Sequence, residues 1–122
     1  MSFMLDIQKE DDYIHVTASG ERNFENIKQI VAEIVKAGLK HKQNRAIIDI
    51  SKLKGRLEMV ESYDLATKVL SQFRGQWLQR AAVVDLPEAR ERYQFFENVA
   101  VNRGYYIRIF NDSHTAEKWL CG

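Results

Sequence analysis

The hydrophobic positions along this chain change their spacing several times, and each change marks an element. Residues 3–8 (Phe-Met-Leu-Asp-Ile-Gln) read as a short strand. Residues 13–18 (Tyr-Ile-His-Val-Thr-Ala) are β-rich and alternate apolar with polar, the period of a half-buried strand. The polar turn Lys9-Glu10-Asp11-Asp12 joins the two as an antiparallel hairpin, which Gly20 ends. The period then lengthens. Phe24, Ile27, Ile30, Val31, Ile34 and Val35 form one apolar stripe, predicting a helix over 24–37 with Asn23 as N-cap and Gly38 as its stop.

Three further helices follow from the same spacing. Met59, Tyr63, Ala66, Leu70 and Phe73 predict a helix over 58–73, broken by Arg74-Gly75-Gln76, with Trp77 and Leu78 at the core edge. Leu86-Pro87-Glu88 starts a third, with Pro87 in the first turn, where its missing N–H costs nothing. Ala89, Tyr93, Phe96, Ala100 and Arg103 share its inner face, and Gly104 ends it. Ala116, Trp119 and Leu120 mark a short last helix, capped by Asp112 or Ser113.

Strands fill the gaps. Arg45-Ala46-Ile47-Ile48-Asp49-Ile50-Ser51 has a charged start, an apolar run and a polar end, the pattern of a strand buried on both faces. Arg80-Ala81-Ala82-Val83-Val84-Asp85 repeats that shape and predicts a second parallel strand, and Tyr105-Tyr106-Ile107-Arg108-Ile109-Phe110 is a further strand. The order is β-β-α-β-α-β-α-β-α. It predicts an α/β fold, a single domain over 1–122 with a mixed β-sheet covered by helices.

Composition narrows the class. At 122 residues and 45% hydrophobic, the chain can bury a real core without metal or disulfide staples. With 29% charged residues and a net charge of +1, nothing global points to disorder, nucleic acid or an anionic membrane. Cys121 is the single cysteine, so no intrachain disulfide forms, which favours a reducing compartment. No apolar run approaches the roughly 18 residues of a membrane span. Met1–Asp6 lacks the basic and apolar regions of a signal peptide. These features predict a soluble cytoplasmic protein.

The stretch Lys52-Leu53-Lys54-Gly55-Arg56 after the central strand reads as a short basic loop, and sites in α/β domains collect at such strand-to-helix loops. Asp49, Ser51, Lys52, Lys54, Gly55 and Arg56 are therefore the candidate partner or ligand loop. Asp49 and Ser51 would shape it, Gly55 would permit its turn, and the cations would meet an acidic surface or an anionic ligand. The alternative is structural: Asp49 and Ser51 hold the loop by hydrogen bonds and the lysines are merely solvated.

Around these residues the chain resembles the STAS superfamily of sulfate transporters and anti-sigma-factor antagonists, and most of all its stand-alone SpoIIAA-like branch. Ala46–Ser51 with Gly55, Ala82-Val83-Val84, and Asn98–Leu120 carry the likeness, which spans nearly the whole chain in element order. The resemblance implies a non-catalytic regulatory or protein-interaction module, with no cofactor. Anti-sigma antagonists carry a phosphorylatable serine in Asp-Ser-Ser-Gly or Asp-Ser-Thr-Gly. Here Lys52–Leu57 has no hydroxyl, and Ser51 does not match the switch serine. The branch is also similar in fold to Sec14-type lipid-binding domains, which implies as an alternative a carrier or sensor of a lipid or other small apolar or anionic ligand.

Other constellations carry less. Lys36–Arg56 holds seven Lys or Arg against one Asp, a net +6, while Met1–Val35 holds three against seven acids, a net −4. That asymmetry suits an acidic protein partner or a head-to-tail homodimer, or simply a solvated surface. The basic stretch lacks a nucleic-acid reading motif and interleaved aromatics. His15, His41 and His114 have no metal-ligand spacing. Asp49 and Asp85 end successive strands and would form an acid–base pair only within one cleft. Tyr93, Phe95, Phe96 and Val99 are the densest aromatic region: core, or an apolar groove for a helix, a fatty ligand or a second subunit.

Overall fold

The structure, a computed structural model, describes residues 3–73, 75–76, 78–87 and 90–121, without the side chains of residues 90–93. The side chain of the expected groove residue Tyr93 and the edge residue Trp77 thus lie outside what is described, as do Glu88 and Ala89 at the expected third-helix start. The elements are β1 (Phe3–Lys9), β2 (Ile14–Glu21), α1 (Phe24–His41), β3 (Arg45–Lys54), α2 (Met59–Asp64), β4 (Arg80–Val84), α3 (Arg90–Asn102), β5 (Ile107–Phe110) and α4 (Ser113–Cys121). The α/β order read from the sequence is the order observed. Five strands form one mixed sheet in the order β1-β2-β3-β4-β5. The hairpin β1–β2 is antiparallel and the other pairs are parallel.

Each face of the sheet has its own core. On one, Ile14, Val16, Ala46 and Ile48 meet Ile30 and Ile34 of α1, with Leu70 and Ala100. On the other, Ile47, Ala82 and Val84 meet Ala116 and Leu120 of α4, flanked by Tyr13, Phe110 and Trp119. The two basic strand starts explain how α4 is held. Arg45 and Arg80 pair in register. The Arg45 guanidinium donates to Leu120 O at 3.2 Å and that of Arg80 to Trp119 O at 3.1 Å. Arginines thus satisfy carbonyls that the end of a helix leaves without partners. Arg80 also lies 5.4 Å from the centroid of the Trp119 ring.

Several boundaries differ from expectation. Gly20 does not end β2; with φ at 121° it lies inside the strand, pairing with Phe3 and Leu53. Asn23 caps α1 as expected, its side chain accepting from the Asn26 N–H at 2.8 Å. Gly38 does not stop that helix, which runs on to His41 and leaves through Lys42 at φ 58°. Gly38 serves close packing instead, since a Cβ there would sit 2.9 Å from Leu78 Cδ2. The expected helix over 58–73 is α2, then a π-helical turn (Leu65–Val69), then a 3₁₀ turn (Leu70–Phe73). Its buried stripe is Ser62, Leu65, Ala66, Val69 and Leu70, so Met59 and Tyr63 face solvent rather than the core. Arg103, expected on the inner face of α3, is exposed beyond its end. The last strand begins at Ile107, with Tyr105 buried and Tyr106 exposed just before it. Asp112 is the α4 cap, accepting from Thr115 N–H at 2.8 Å.

Candidate functional site

The basic stretch after the central strand is not a loop. β3 continues to Lys54, and a register shift lies within it. Thr17 pairs with Asp49 but Ser19 pairs with Lys52, so two steps on β2 match three on β3. One extra residue in a strand is a β-bulge. Asp49 fixes it, accepting from the Ser51 N–H at 3.0 Å and from the Ser51 hydroxyl at 2.6 Å. The bulge reverses which face each later residue takes. Without it, Leu53 would follow Ile47 and Asp49 toward α4. With it, Leu53 joins the α1 core, while Lys52 and Lys54 are exposed. Gly55 then turns the chain at φ 97°, and a Cβ there would sit 3.3 Å from Arg22 O. Arg56 is half-buried, its Nη1 donating to Gly55 O at 3.0 Å.

The bulge also has a support that the sequence reading missed. Arg22, 9% exposed, donates through Nη2 to Ile50 O at 2.8 Å, at the bulge itself. The same guanidinium grips Asp85, 3% exposed, through Nη1 at 2.9 Å and Nη2 at 3.1 Å. Asp85 further accepts from the Leu86 N–H at 2.8 Å. One buried, two-pronged ion pair therefore joins the β2–α1 turn, the β3 bulge and the end of β4. Asp49 and Asp85 are separated by this arrangement. Asp49 follows Ile47 on the α4 side, while Asp85 lines the opposite side with Ile48 and Ile50. They cannot share a proton across one cleft, and the acid–base pairing fails on geometry.

Between the sheet and α1, α2 and α3 lies a cavity of about 130 Å³. Ile27, Ile34, Leu65, Ala81, Phe96 and Ile107 give it apolar walls; Arg22, Asp85, Arg56 and Ser62 are its polar members. Phe96 lines the cavity, Val99 packs on the same core and borders a shallow depression with Tyr63, and Phe95 is half-buried without lining the cavity.

No protein-family model and no curated protein matches the sequence. Solved structures do. An anti-sigma factor antagonist from Mycobacterium paratuberculosis superposes with a TM-score of 0.64 at 16% identity, over 99% of this chain and 96% of that one. An uncharacterized DUF3478-family protein with a SpoIIAA-like fold, from Shewanella loihica, gives 0.60 at 23%, over 98% and 94%. The anti-sigma factor antagonist SpoIIAA in its unphosphorylated form gives 0.58 at 14%, over 97% and 96%.

The chain has a SpoIIAA-like STAS fold.

Within this STAS fold, a second polar tie secures the face away from the cavity. Tyr13 Oη donates to Glu117 at 2.8 Å, joining the hairpin turn to α4. Burial first, and then the Glu117 carboxylate, push the Tyr13 phenol well above its ordinary range. Burial also raises the Cys121 thiol, helped by the charges of Asp12 and Glu117 against the opposing Arg45, so its thiolate is disfavoured as a nucleophile. Among the described residues, no cluster of His, Cys, Asp or Glu is arranged to hold a metal. No described helix is long and apolar enough to cross a membrane.

Proposed function

We propose that this STAS-like domain is a non-catalytic, cytoplasmic regulatory module that captures an acidic protein surface. The observation carrying the proposal is the bulge in β3, which turns Lys52 and Lys54 outward together. A few residues further along the chain, α2 presents Met59, Val60 and Tyr63, exposed by 44, 71 and 44%. Apolar side chains rimmed by cations are the composition of a recognition surface, the apolar part supplying affinity and the charges register and encounter rate. The description of two structural neighbours as anti-sigma factor antagonists supports a regulatory role. Asp49 and Ser51, bonded to each other, shape this surface rather than touch the partner.

The experiment is charge reversal at Lys52 and Lys54 with affinity capture from the host. Lys52→Glu/Lys54→Glu should lose the captured protein and keep its melting temperature. Capture should also fall steeply with added salt in the wild type. Equal capture by the variant would sink the proposal. Native mass spectrometry on the same eluate separates a foreign partner from a homodimer.

A second reading, carriage of a small ligand, is favoured by the cavity beneath α2.

A further inference from the structure

The cavity's charges point to a more specific ligand, and the inference rests on the carrier reading. Arg22 and Asp85 neutralise each other at its wall. Arg56 does not share that balance: no described carboxylate lies within ion-pair distance of it. The lining therefore carries a net positive charge, and half-buried Arg56 borders both the cavity and solvent. The Nε–H of Arg22 is buried and has no hydrogen-bond partner. An unmatched buried donor is costly and gains from any acceptor that reaches it. The remaining walls are nearly all aliphatic or aromatic. Their volume, about 130 Å³, compares with an engineered apolar cavity of ~150 Å³ that binds benzene. A long acyl chain is too large for it, whereas one ring or a short branched chain fits.

We propose that the cavity binds a compact monocarboxylate with an apolar body the size of one aromatic ring. The body packs among Ile27, Leu65, Phe96 and Ile107. The carboxylate meets Arg56 near solvent. A buried anion without Arg56 would face Asp85 unpaired, so the charge pattern selects one negative charge and rejects cations.

Benzoate and benzyl alcohol are the probes, titrated into the wild-type chain and into Arg56→Gln while amide NMR shifts are followed. Both should shift residues around the cavity, with benzoate tighter by about tenfold, the scale of a charge-assisted hydrogen bond. Arg56→Gln should remove that preference and leave benzyl alcohol unchanged; among the described residues Arg56 bonds only the neighbouring Gly55 O, so the described fold does not rest on it. Equal affinity of the two probes for the wild type would overturn the carboxylate assignment and leave the carrier reading standing. A benzoate preference that survives Arg56→Gln, or shifts confined to Lys52 and Lys54, would also overturn it. Saturable binding of neither probe at millimolar concentration would overturn both.

Discussion

Arg22 grips Asp85 across 63 residues of sequence with two hydrogen bonds, of 2.9 and 3.1 Å, both side chains being almost fully buried. The pair is a junction as much as a bond, because the same guanidinium holds the Ile50 carbonyl at the β3 bulge.

Breaking one side of this junction leaves the other charge buried alone. Arg22→Met or Asp85→Leu should each cost about 3–5 kcal/mol in urea unfolding. The double variant Arg22→Met/Asp85→Leu removes both charges and should lose far less than the two single losses combined. Additive losses would show that the two side chains act separately. Arg22→Met should also loosen β3 beyond Asp49, seen as faster amide exchange at Lys52 and Leu53 than at Ile47.

Gly38 provides a steric test. In an ordinary helix interior, Gly→Ala stabilises by up to ~1 kcal/mol. Here the new methyl would meet Leu78 Cδ2 at 2.9 Å and Gln43 O at 3.1 Å. Gly38→Ala should therefore lower the melting temperature, with a cost of about 1–3 kcal/mol from overpacking. Leu78→Val should recover part of that loss in the double variant. A rise in melting temperature for Gly38→Ala alone would show that α1 and Leu78 have more room than these contacts describe.

The Tyr13–Glu117 hydrogen bond makes stability depend on alkaline pH. The folded state raises the Tyr13 pKa above that of the unfolded chain, near 10. Its contribution is therefore complete below about pH 10 and fades as the pH rises toward the folded value. Tyr13→Phe should be less stable than the wild type at neutral pH by about 1 kcal/mol, the scale of one net hydrogen bond. The gap should close above pH 10. A gap that stays constant from pH 7 to 11 would contradict the shared proton. In ultraviolet titration, Glu117→Gln should return one tyrosine toward the ordinary range.

Much of the fold was legible because hydrophobic spacing is local. The stripe on α1 and the alternation in β2 require no distant information. The repeated strand shape contained more than its first reading extracted. Asp49 lies four positions after Arg45, and Asp85 lies five positions after Arg80. The two arginines face α4 together, so the odd spacing already places Asp85 on the opposite side from Asp49. The bulge was hidden, since its signature is a mismatch of count between two strands rather than a residue type. Arg22 was hidden for the related reason that its partner lies 63 positions away in sequence. The inner face of the segment after β3 was misassigned because Met59 and Tyr63 fit helical spacing as well as Leu65 and Val69 do. Only the π-helical turn and the packing of Ser62 show which stripe is buried.

The spatial order of the strands equals their order along the chain. During synthesis, each new strand can therefore join the edge its predecessor has just formed, and no gap must be held open for a later arrival. Sheet growth is then a zipper moving in one direction, with loop closures of modest entropy at every step. The α4 face is the exception. Ile47, Ala82 and Val84 wait for Ala116 and Leu120, among the last described residues. Until Ser113–Cys121 has left the ribosome and docked, a sheet already formed keeps one apolar face bare, the kind of transiently exposed surface that makes a partly folded chain prone to aggregate.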